Sequence, residues 1–387
     1  MSNKRAYALK IVFAFLCLAV LAGHLWSMSR WNEARGVYDD ICYLRQAHLF
    51  QRFGLAGFDT DVSRDDDDYL KSKLREIRFP TWNDTATAPC HNPMPATGKL
   101  VIQYPPGVGL VLALLPPGHQ VIAMYMLATI AVFGFALFAI FLARNTTSTL
   151  IAGAFGCLAV YLMINPVKAS YSIAPTVVVC ALVGFLTARW LARPQHDSRI
   201  GSIILLGVLL GFAVNFRLAN LFLASGYFLF LLTSFLASRK LRQFLQGALF
   251  TAAFVVGMAP TIVSYTINAG SPFASTYGNN PDVRPLDFSF AVVWDYLADP
   301  LQAGLLALGI ASSVYLLSWG KGVCRVALVT LANLAANLVF FFTYPIFTPY
   351  YTIPIALLSL WSLLFAFLMQ ETVAADDSLF APTLNAK

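Results

Sequence analysis

Charged side chains are scarce in this chain of 387 residues. They make up 12% of the sequence, whereas ordinary soluble domains carry about 25%. This shortage excludes a cytosolic globular protein. The sequence also has no internal repeat, no coiled-coil heptad and no nucleotide-binding glycine motif. Those absences direct attention to the apolar segments and to the few polar ones between them.

Histidine is scarce as well, with five residues whose spacing matches no metal-binding motif. The acidic run 65–68 could attract a divalent cation. A run of like charges is, however, more typical of a solvated loop. We therefore predict no essential metal and no separate cofactor.

Long apolar segments fill most of the chain, of which 58% is hydrophobic. A membrane-spanning helix needs about 20 apolar residues. We interpret the first such segment as a retained helix rather than a cleaved signal peptide, because the most informative motif lies just beyond it. The sequence predicts an all-α integral membrane protein forming one polytopic domain, 1–387. The ten predicted spans are 8–28, 119–143, 148–164, 171–191, 200–215, 219–238, 244–266, 301–319, 326–343 and 351–370.

The net charge of +7 reflects membrane orientation and does not indicate nucleic-acid binding. Short links on one side of the predicted bundle carry twelve Lys and Arg residues, and those on the other side carry three. Lys and Arg concentrate in cytoplasmic links. Both termini are therefore predicted to be cytoplasmic, and we expect the membrane to be a bacterial inner membrane.

Two polar segments are too long to be turns, and the predicted topology places both outside. The first polar loop (residues 29–118) holds eleven of the nineteen acidic residues, and the second polar loop covers residues 267–300. In the first, apolar spacings of three and four predict a helix over 39–53, and 107–115 is expected to be a short half-buried helix that ends at a proline pair. In the second, 288–297 is a candidate interfacial helix.

Six cysteines are present. Cys42 and Cys90 both lie in the first polar loop, where a disulfide is compatible with an oxidising compartment, but their spacing does not demand one. The others lie in apolar segments and are expected to be packing residues: Cys17, Cys157, Cys180 and Cys324.

Asp39 and Asp40 stand near the beginning of the first polar loop, just outside the first predicted span. A carboxylate at the membrane surface can take the proton of a hydroxyl group that attacks a sugar. A sugar carried on a lipid phosphate already has a stable leaving group, which needs a cation rather than a protonating acid. The pair could also, or only, cap the helix that follows, since aspartates there satisfy free backbone amides.

The residues around this pair carry a family resemblance. Asp39-Asp40-Ile41-Cys42-Tyr43, with Ala47 four residues later, resembles the Asp-Asp/Glu-x-x-Tyr-x-x-x-Ala motif of GT-C fold glycosyltransferases. In particular, it resembles the motif of the protein O-mannosyltransferase and aminoarabinose transferase group. Other matches follow in the same order across about 35–355: Tyr104-Pro105-Pro106-Gly107, Gly207-x-x-x-Gly211 followed by Arg217, Gly270-Ser271-Pro272-Phe273 with Tyr277, and Tyr350-Tyr351 through Pro354.

The resemblance implies roles for individual residues. It makes Asp39 the catalytic base, with Asp40 as the alternative base or as a partner that orients the acceptor. It makes Arg217 a ligand of the donor phosphate, although an arginine at this depth could also snorkel to lipid headgroups. Lys168 and Arg284 are weaker candidates for binding the phosphate, because each could instead be a solvent-exposed charge in a loop. The expected lining of the site is Tyr43, Tyr104, Tyr277, Tyr350 and Tyr351, of which the last two would also suit an interfacial aromatic belt.

The function implied is that of an inverting glycosyltransferase. It would move a sugar from a polyprenyl-phosphate donor, a membrane lipid, to a lipid, glycan or protein acceptor at the outer membrane face. One alternative is a polytopic transporter or lipid flippase, although ionisable residues are rare inside the predicted spans, where transporters usually place them. Another is a non-catalytic assembly subunit with the same fold.

Overall fold

A computed structural model of the protein describes residues 2–31, 40–163, 170–192, 199–278, 288–343, 347–348 and 350–380. Within these ranges the fold is almost entirely helical, with one β-hairpin. The hairpin strands are β1 (His91–Met94) and β2 (Lys99–Ile102). The helices are α1 (Ser2–Met28), α2 (Ile41–Phe53), α3 (Tyr69–Glu76), α4 (Gly107–Ala113), α5 (Gln120–Leu142), α6 (Thr146–Tyr161), α7 (Ile173–Leu191), α8 (Arg199–Val214), α9 (Ser225–Ser238), α10 (Leu241–Gly257), α11 (Ala259–Ala269), α12 (Phe290–Ala298), α13 (Pro300–Leu316), α14 (Lys321–Thr343) and α15 (Ile353–Phe380).

The length and composition of these helices identify an integral membrane protein. Among the described residues, six helical stretches are long and apolar enough to cross a bilayer, and the count rises to eight if each of two bent helix pairs is one span. The predicted count of ten is not reached by this measure. Helices α6 and α8 have 16 residues each and extend about 24 Å, which is shorter than a hydrocarbon core of about 30 Å. The six are Lys4–Met28, Gln120–Leu142, Ile173–Leu191, Leu218–Ser238, Lys321–Thr343 and Ile353–Glu371.

Helix α15 is the buried centre of the bundle and packs on α7, α13 and α14. Its Trp361 and Phe365 side chains are fully buried and stack on each other with ring centroids 5.4 Å apart. On α7, Gly184 lies so close to this helix that a β-carbon there would come within 2.6 Å of the Trp361 Cβ atom. A small residue at a helix interface permits this close approach.

Helices α8 and α10 are held together in the same way. Gly207 faces the Phe250 carbonyl, where an added β-carbon would lie 2.6 Å from the oxygen, and Gly211 faces the Phe254 carbonyl still more closely. The two glycines therefore act as a small-residue interface between the helices, which fixes the end of α8 from which Arg217 projects.

Two helix pairs are bent. Helices α10 and α11 meet at 54°, and α12 and α13 meet at 89°. At the second bend the Asp299 carboxylate accepts hydrogen bonds from the amides of Leu301 and Gln302 at 2.9 and 3.0 Å, and Pro300 occupies the first helical position, where its missing amide costs nothing. The helix expected over 288–297 is confirmed as α12.

The described part of the first polar loop contains helices and a β-hairpin of its own. Helices α2 and α4, which correspond to the predicted 39–53 and 107–115 helices, pack on each other. The antiparallel hairpin, with His91 opposite Ile102 and Met94 opposite Lys99, was not predicted.

Candidate functional site

Three of the predicted site residues, Asp39, Lys168 and Arg284, lie outside the described residues. Asp40 is described, and it is 2% exposed. Its Oδ1 atom accepts hydrogen bonds from the Tyr171 amide and from the Ser170 hydroxyl, both at 3.2 Å. These partners precede α7, so the carboxylate joins the start of α2 to the start of a membrane helix.

The capping interpretation fails for Asp40. It occupies the position before α2, but its side chain makes no hydrogen bond to the helix amides. Its backbone is itself close to helical, with φ −69° and ψ −17°, whereas a capping residue normally has extended dihedral angles. The carboxylate instead accepts its hydrogen bonds from residues outside its own helix.

Tyr43 follows Asp40 by one helical turn and begins an aromatic wall. Its ring stacks on the Tyr104 ring with centroids 4.9 Å apart and lies 6.4 Å from the Tyr171 ring. Tyr277, from the second polar loop, meets Tyr104 edge-on at 6.2 Å. Three tyrosines that the sequence singled out are thus brought together, with Tyr171 as an addition.

Arg217 lies between α8 and the 3-10 helix Leu218–Ala224. Its backbone is extended, with φ −161° and ψ 132°, which ends α8 and turns the side chain towards the beginning of α15. The guanidinium carbon lies 3.6 Å above the centre of the Tyr351 ring and 5.4 Å from that of Tyr350. A cation over an aromatic face is attracted by the ring quadrupole, and this stacking orients the plane of the guanidinium group.

The electrostatics of Tyr43 show that the acidic and the cationic sides of the site converge. Burial is the main cause that raises the pKa of the Tyr43 phenol above its ordinary value; the Asp40 carboxylate raises it further and the Arg217 cation lowers it. Burial likewise raises the pKa of Tyr277, against the lowering effect of Arg217. The Asp40 carboxylate and the Arg217 cation therefore both act on the Tyr43 phenol, and both tyrosines stay protonated at neutral pH.

A small cavity opens beside Arg217 towards the membrane helices. Its polar lining consists of Arg217, Asn220 and Asn337. Both asparagines also bond backbone carbonyls: Asn220 donates to Ala213 at 2.8 Å, and Asn337 donates to Phe222 at 2.9 Å. The remaining lining residues are Ala219, Leu223, Phe341, Tyr351 and Pro354. Arg217 therefore lines a cavity among the membrane helices as well as stacking on Tyr351.

Sequence reasoning missed the segment that receives Asp40. Ser170 and Ser172 have hydroxyl groups 3.1 Å apart, and the Tyr125 hydroxyl donates to the Ser170 carbonyl at 3.2 Å. The available signal was the polar run Ser170-Tyr171-Ser172 at the start of an apolar helix. The hydroxyl group of Ser170 bonds both Asp40 and Ser172 at the start of α7.

Cys42 and Cys90 form a disulfide, with Cα atoms 6.5 Å apart, which resolves the question left open by the sequence. Together with His91 they are also the cluster of metal-ligating side chains found among the described residues. Because the two sulfurs are bonded to each other, they offer no thiolate ligands.

His91 is neutral and forms hydrogen bonds through both ring nitrogens. Its Nε2 atom lies 3.1 Å from Arg45 Nη1 and its Nδ1 atom lies 2.9 Å from the Pro89 carbonyl oxygen. Since arginine only donates, Nε2 accepts from Arg45 and Nδ1 carries the proton donated to Pro89.

The acidic run of the first polar loop is paired with basic groups. Asp66 bonds Arg52, Asp67 lies 2.7 Å from His48 Nε2, and Asp68 lies 2.7 Å from Lys71 Nζ. The carboxylate oxygens of Asp65 accept from the Leu70 amide at 2.9 and 3.1 Å. The four aspartates 65–68 therefore form hydrogen bonds and ion pairs within the first polar loop.

No protein-family model matches this chain, and comparison with curated proteins also gives no match. The site is therefore interpreted from its own residues and geometry.

Proposed function

We propose that this protein is an inverting glycosyltransferase of the GT-C type, which transfers a sugar from a polyprenyl-phosphate donor to a lipid, glycan or protein hydroxyl group. The observation that carries the proposal is the convergence of Asp40 and Arg217 on one tyrosine-lined region. A carboxylate and a guanidinium beside apolar membrane helices are the groups that this reaction requires.

Arg217 is the phosphate ligand in this scheme. A guanidinium can make paired hydrogen bonds to phosphate oxygens, and Tyr351 holds its plane in one orientation. The cation stabilises the negative charge that develops on the lipid phosphate as the bond from its oxygen to the anomeric carbon breaks. Its position at the end of α8 suits a phosphate at the membrane surface with a prenyl tail among the helices.

The acidic pair acts on the acceptor. The acceptor oxygen attacks the anomeric carbon from the face opposite the phosphate, its proton passes to a carboxylate, and the lipid phosphate leaves. We assign Asp39 as this base. Asp40, bonded to Ser170 and Tyr171, orients the beginning of α2 and the acceptor, and it is the alternative base.

Transport is the second candidate. The bent pairs α10–α11 and α12–α13 resemble the interrupted helices from which transporters build their substrate sites. In such proteins the binding groups lie near the middle of the membrane. The Asp40–Arg217 region instead joins a polar loop to helix ends, which favours surface chemistry.

The product is first identified by mass spectrometry of lipids and glycans from cells that lack the protein. Transfer is then measured with purified protein in lipid nanodiscs, using Asp39→Asn, Asp40→Asn and Arg217→Ala. We expect Asp39→Asn to abolish transfer while the protein stays folded and still binds a sugar-free polyprenyl phosphate. Arg217→Ala should weaken that binding.

Asp84→Asn is the matched control, because Asp84 is an exposed acid of the same loop, and it should transfer at the parental rate. Undiminished transfer by both Asp39→Asn and Asp40→Asn would remove the catalytic assignment. Sugar-independent movement of lipid by proteoliposomes, with no transfer, would favour the transporter. Neither activity would leave the assembly subunit as the interpretation.

A further inference from the structure

The disulfide of the first polar loop lies close to Asp40 along the chain. Cys42 follows Asp40 by two residues in the first turn of α2, and Cys90 directly precedes β1. The bond therefore connects the helix that carries Asp40 and Tyr43 to a hairpin 48 residues further along the chain.

The surroundings of the bond reinforce this connection. Arg45, one turn further along α2, is fully buried and donates to the carbonyl oxygens of Thr60 and Asp61, each at 2.8 Å. The same side chain donates to His91, the first residue of β1. The small apolar core around the disulfide consists of Ile41, Cys42, Leu70, Leu74, Ala88 and Ile102.

The backbone of Cys90 has an unfavourable conformation that contacts with neighbouring residues must stabilise. Its φ angle is +56°, in the left-handed region that residues with a β-carbon rarely occupy. The Cys90 carbonyl accepts a hydrogen bond from the Gln103 amide at 2.9 Å, one residue before Tyr104 of the aromatic wall. The cross-link thus ends beside the wall as well as beside Asp40.

In its cation–aromatic contacts, Arg217 meets Tyr350 and Tyr351 and neither the disulfide nor α2. It extends from α8, whose packing on α10 depends on Gly207 and Gly211, and its stacking partner Tyr351 precedes α15. Loss of the cross-link should therefore displace the acidic side of the site and leave the cationic side in place.

We propose that Cys42 and Cys90 are positioning residues for Asp40, and that turnover depends on the oxidised state of this cysteine pair. The proposal rests on the proposed glycosyltransferase function and adds redox dependence to it. It predicts a compartment that favours disulfides, on the side where the first polar loop lies.

The reductive step is a thiol–disulfide exchange. One thiolate of an external dithiol attacks the Cys90 sulfur, the more exposed of the two, and Cys42 leaves as a thiolate. The second thiol of the reagent then attacks the mixed disulfide. The products are two cysteine thiols and the oxidised cyclic reagent, and the cycle reverses with a disulfide oxidant.

The test compares oxidised and dithiothreitol-reduced protein in nanodiscs. Alkylation followed by mass spectrometry counts the free thiols at Cys42 and Cys90, transfer kinetics give kcat and KM, and binding of a sugar-free polyprenyl phosphate is measured separately. Reduction should lower kcat by roughly 10- to 100-fold, because a displacement of about 1 Å at a reacting group has effects of this size. Polyprenyl phosphate affinity should stay within about twofold, and reoxidation should restore kcat.

Two double variants complete the test. Cys42→Ser with Cys90→Ser should have the kcat of reduced protein and no response to dithiothreitol. Cys17→Ser with Cys157→Ser is the matched control: these sulfurs lie 3.3 Å apart without a bond, on α1 and α6, and their replacement should leave both kcat and the response to reductant unchanged.

Full kcat with both Cys42 and Cys90 alkylated would overturn the proposal, as would loss of polyprenyl phosphate binding in parallel with kcat, which would indicate general unfolding. A protein with an intact disulfide that binds no polyprenyl phosphate and transfers no sugar would instead contradict the proposed function itself.

Discussion

Acidification is expected to loosen the first polar loop, because it charges a histidine that the fold keeps neutral. Burial, and after it the Arg45 cation, lowers the pKa of His91 from 6.5 to about 3. A protonated Nε2 atom could not accept the hydrogen bond from Arg45. The folded state therefore resists a proton that the unfolded loop binds readily.

The sign and size of the effect follow from proton linkage. The unfolded loop protonates His91 below pH 6.5, whereas the folded loop does so only near pH 3. Stability is thus fully present above pH 6.5 and is lost as the pH falls towards 3, by about 1.4 kcal/mol per pH unit. At pH 5 the loss is about 2 kcal/mol at most, since His91 keeps some exposure to solvent.

Hydrogen exchange of peptides from 41–102, corrected for intrinsic rates, measures this loss. Between pH 7 and pH 5 the protection of α2 and the hairpin should fall by up to about 30-fold. His91→Gln, which cannot titrate, should have a flat response, and His119→Gln, which changes an exposed histidine before α5, should behave like the parent protein. An equal loss of protection in His91→Gln, or none in the parent, would refute this reasoning.

Two further predictions concern the bundle and the cation. Gly211→Ala would drive a β-carbon into the Phe254 carbonyl of α10 and should lower the free energy of unfolding by about 1–3 kcal/mol. Gly247→Ala is the control, because the space around Gly247 is open, and it should not lower this free energy. Equal melting temperatures of the two variants would argue against close α8–α10 packing. Arg217→Lys keeps the charge but loses the planar stack on Tyr351 and should weaken polyprenyl phosphate binding roughly tenfold. Arg64→Lys, which removes a similar stack on Phe53, is its control, and unchanged affinity in Arg217→Lys would argue against a phosphate ligand there.

The apolar pattern predicted where the helices of the bundle lie, but not which of them are long and straight enough to cross the membrane. The interruption between α10 and α11 falls at Met258, inside an apolar run predicted as one span of 244–266. Hydropathy does not report such a bend. Asn215 stabilises it by donating to the Gly257 carbonyl at 2.8 Å and accepting from the Thr261 amide at 2.9 Å, contacts that depend on how α8 and α10 pack.

The hairpin escaped prediction because its strands are only four residues long and contain a proline, Pro93. Its stability comes from remote partners. The Asp61 carboxylate accepts from the Leu100 amide at 3.0 Å, and the Thr60 hydroxyl accepts from the Ile102 amide at 3.1 Å. Propensity within a short segment contains no information about such contacts.

The sequence by itself determined that the chain enters a membrane, because long runs of apolar side chains can satisfy their backbone polar groups there only as helices. It also singled out Asp40, Arg217 and the tyrosines by residue type and order. Only the tertiary structure decided that Tyr43 and Tyr277 both contact Tyr104, that Asp40 bonds Ser170 from 130 residues away, and that Cys42 pairs with Cys90. Such pairings depend on the packing of distant segments, which a local pattern of residues does not specify.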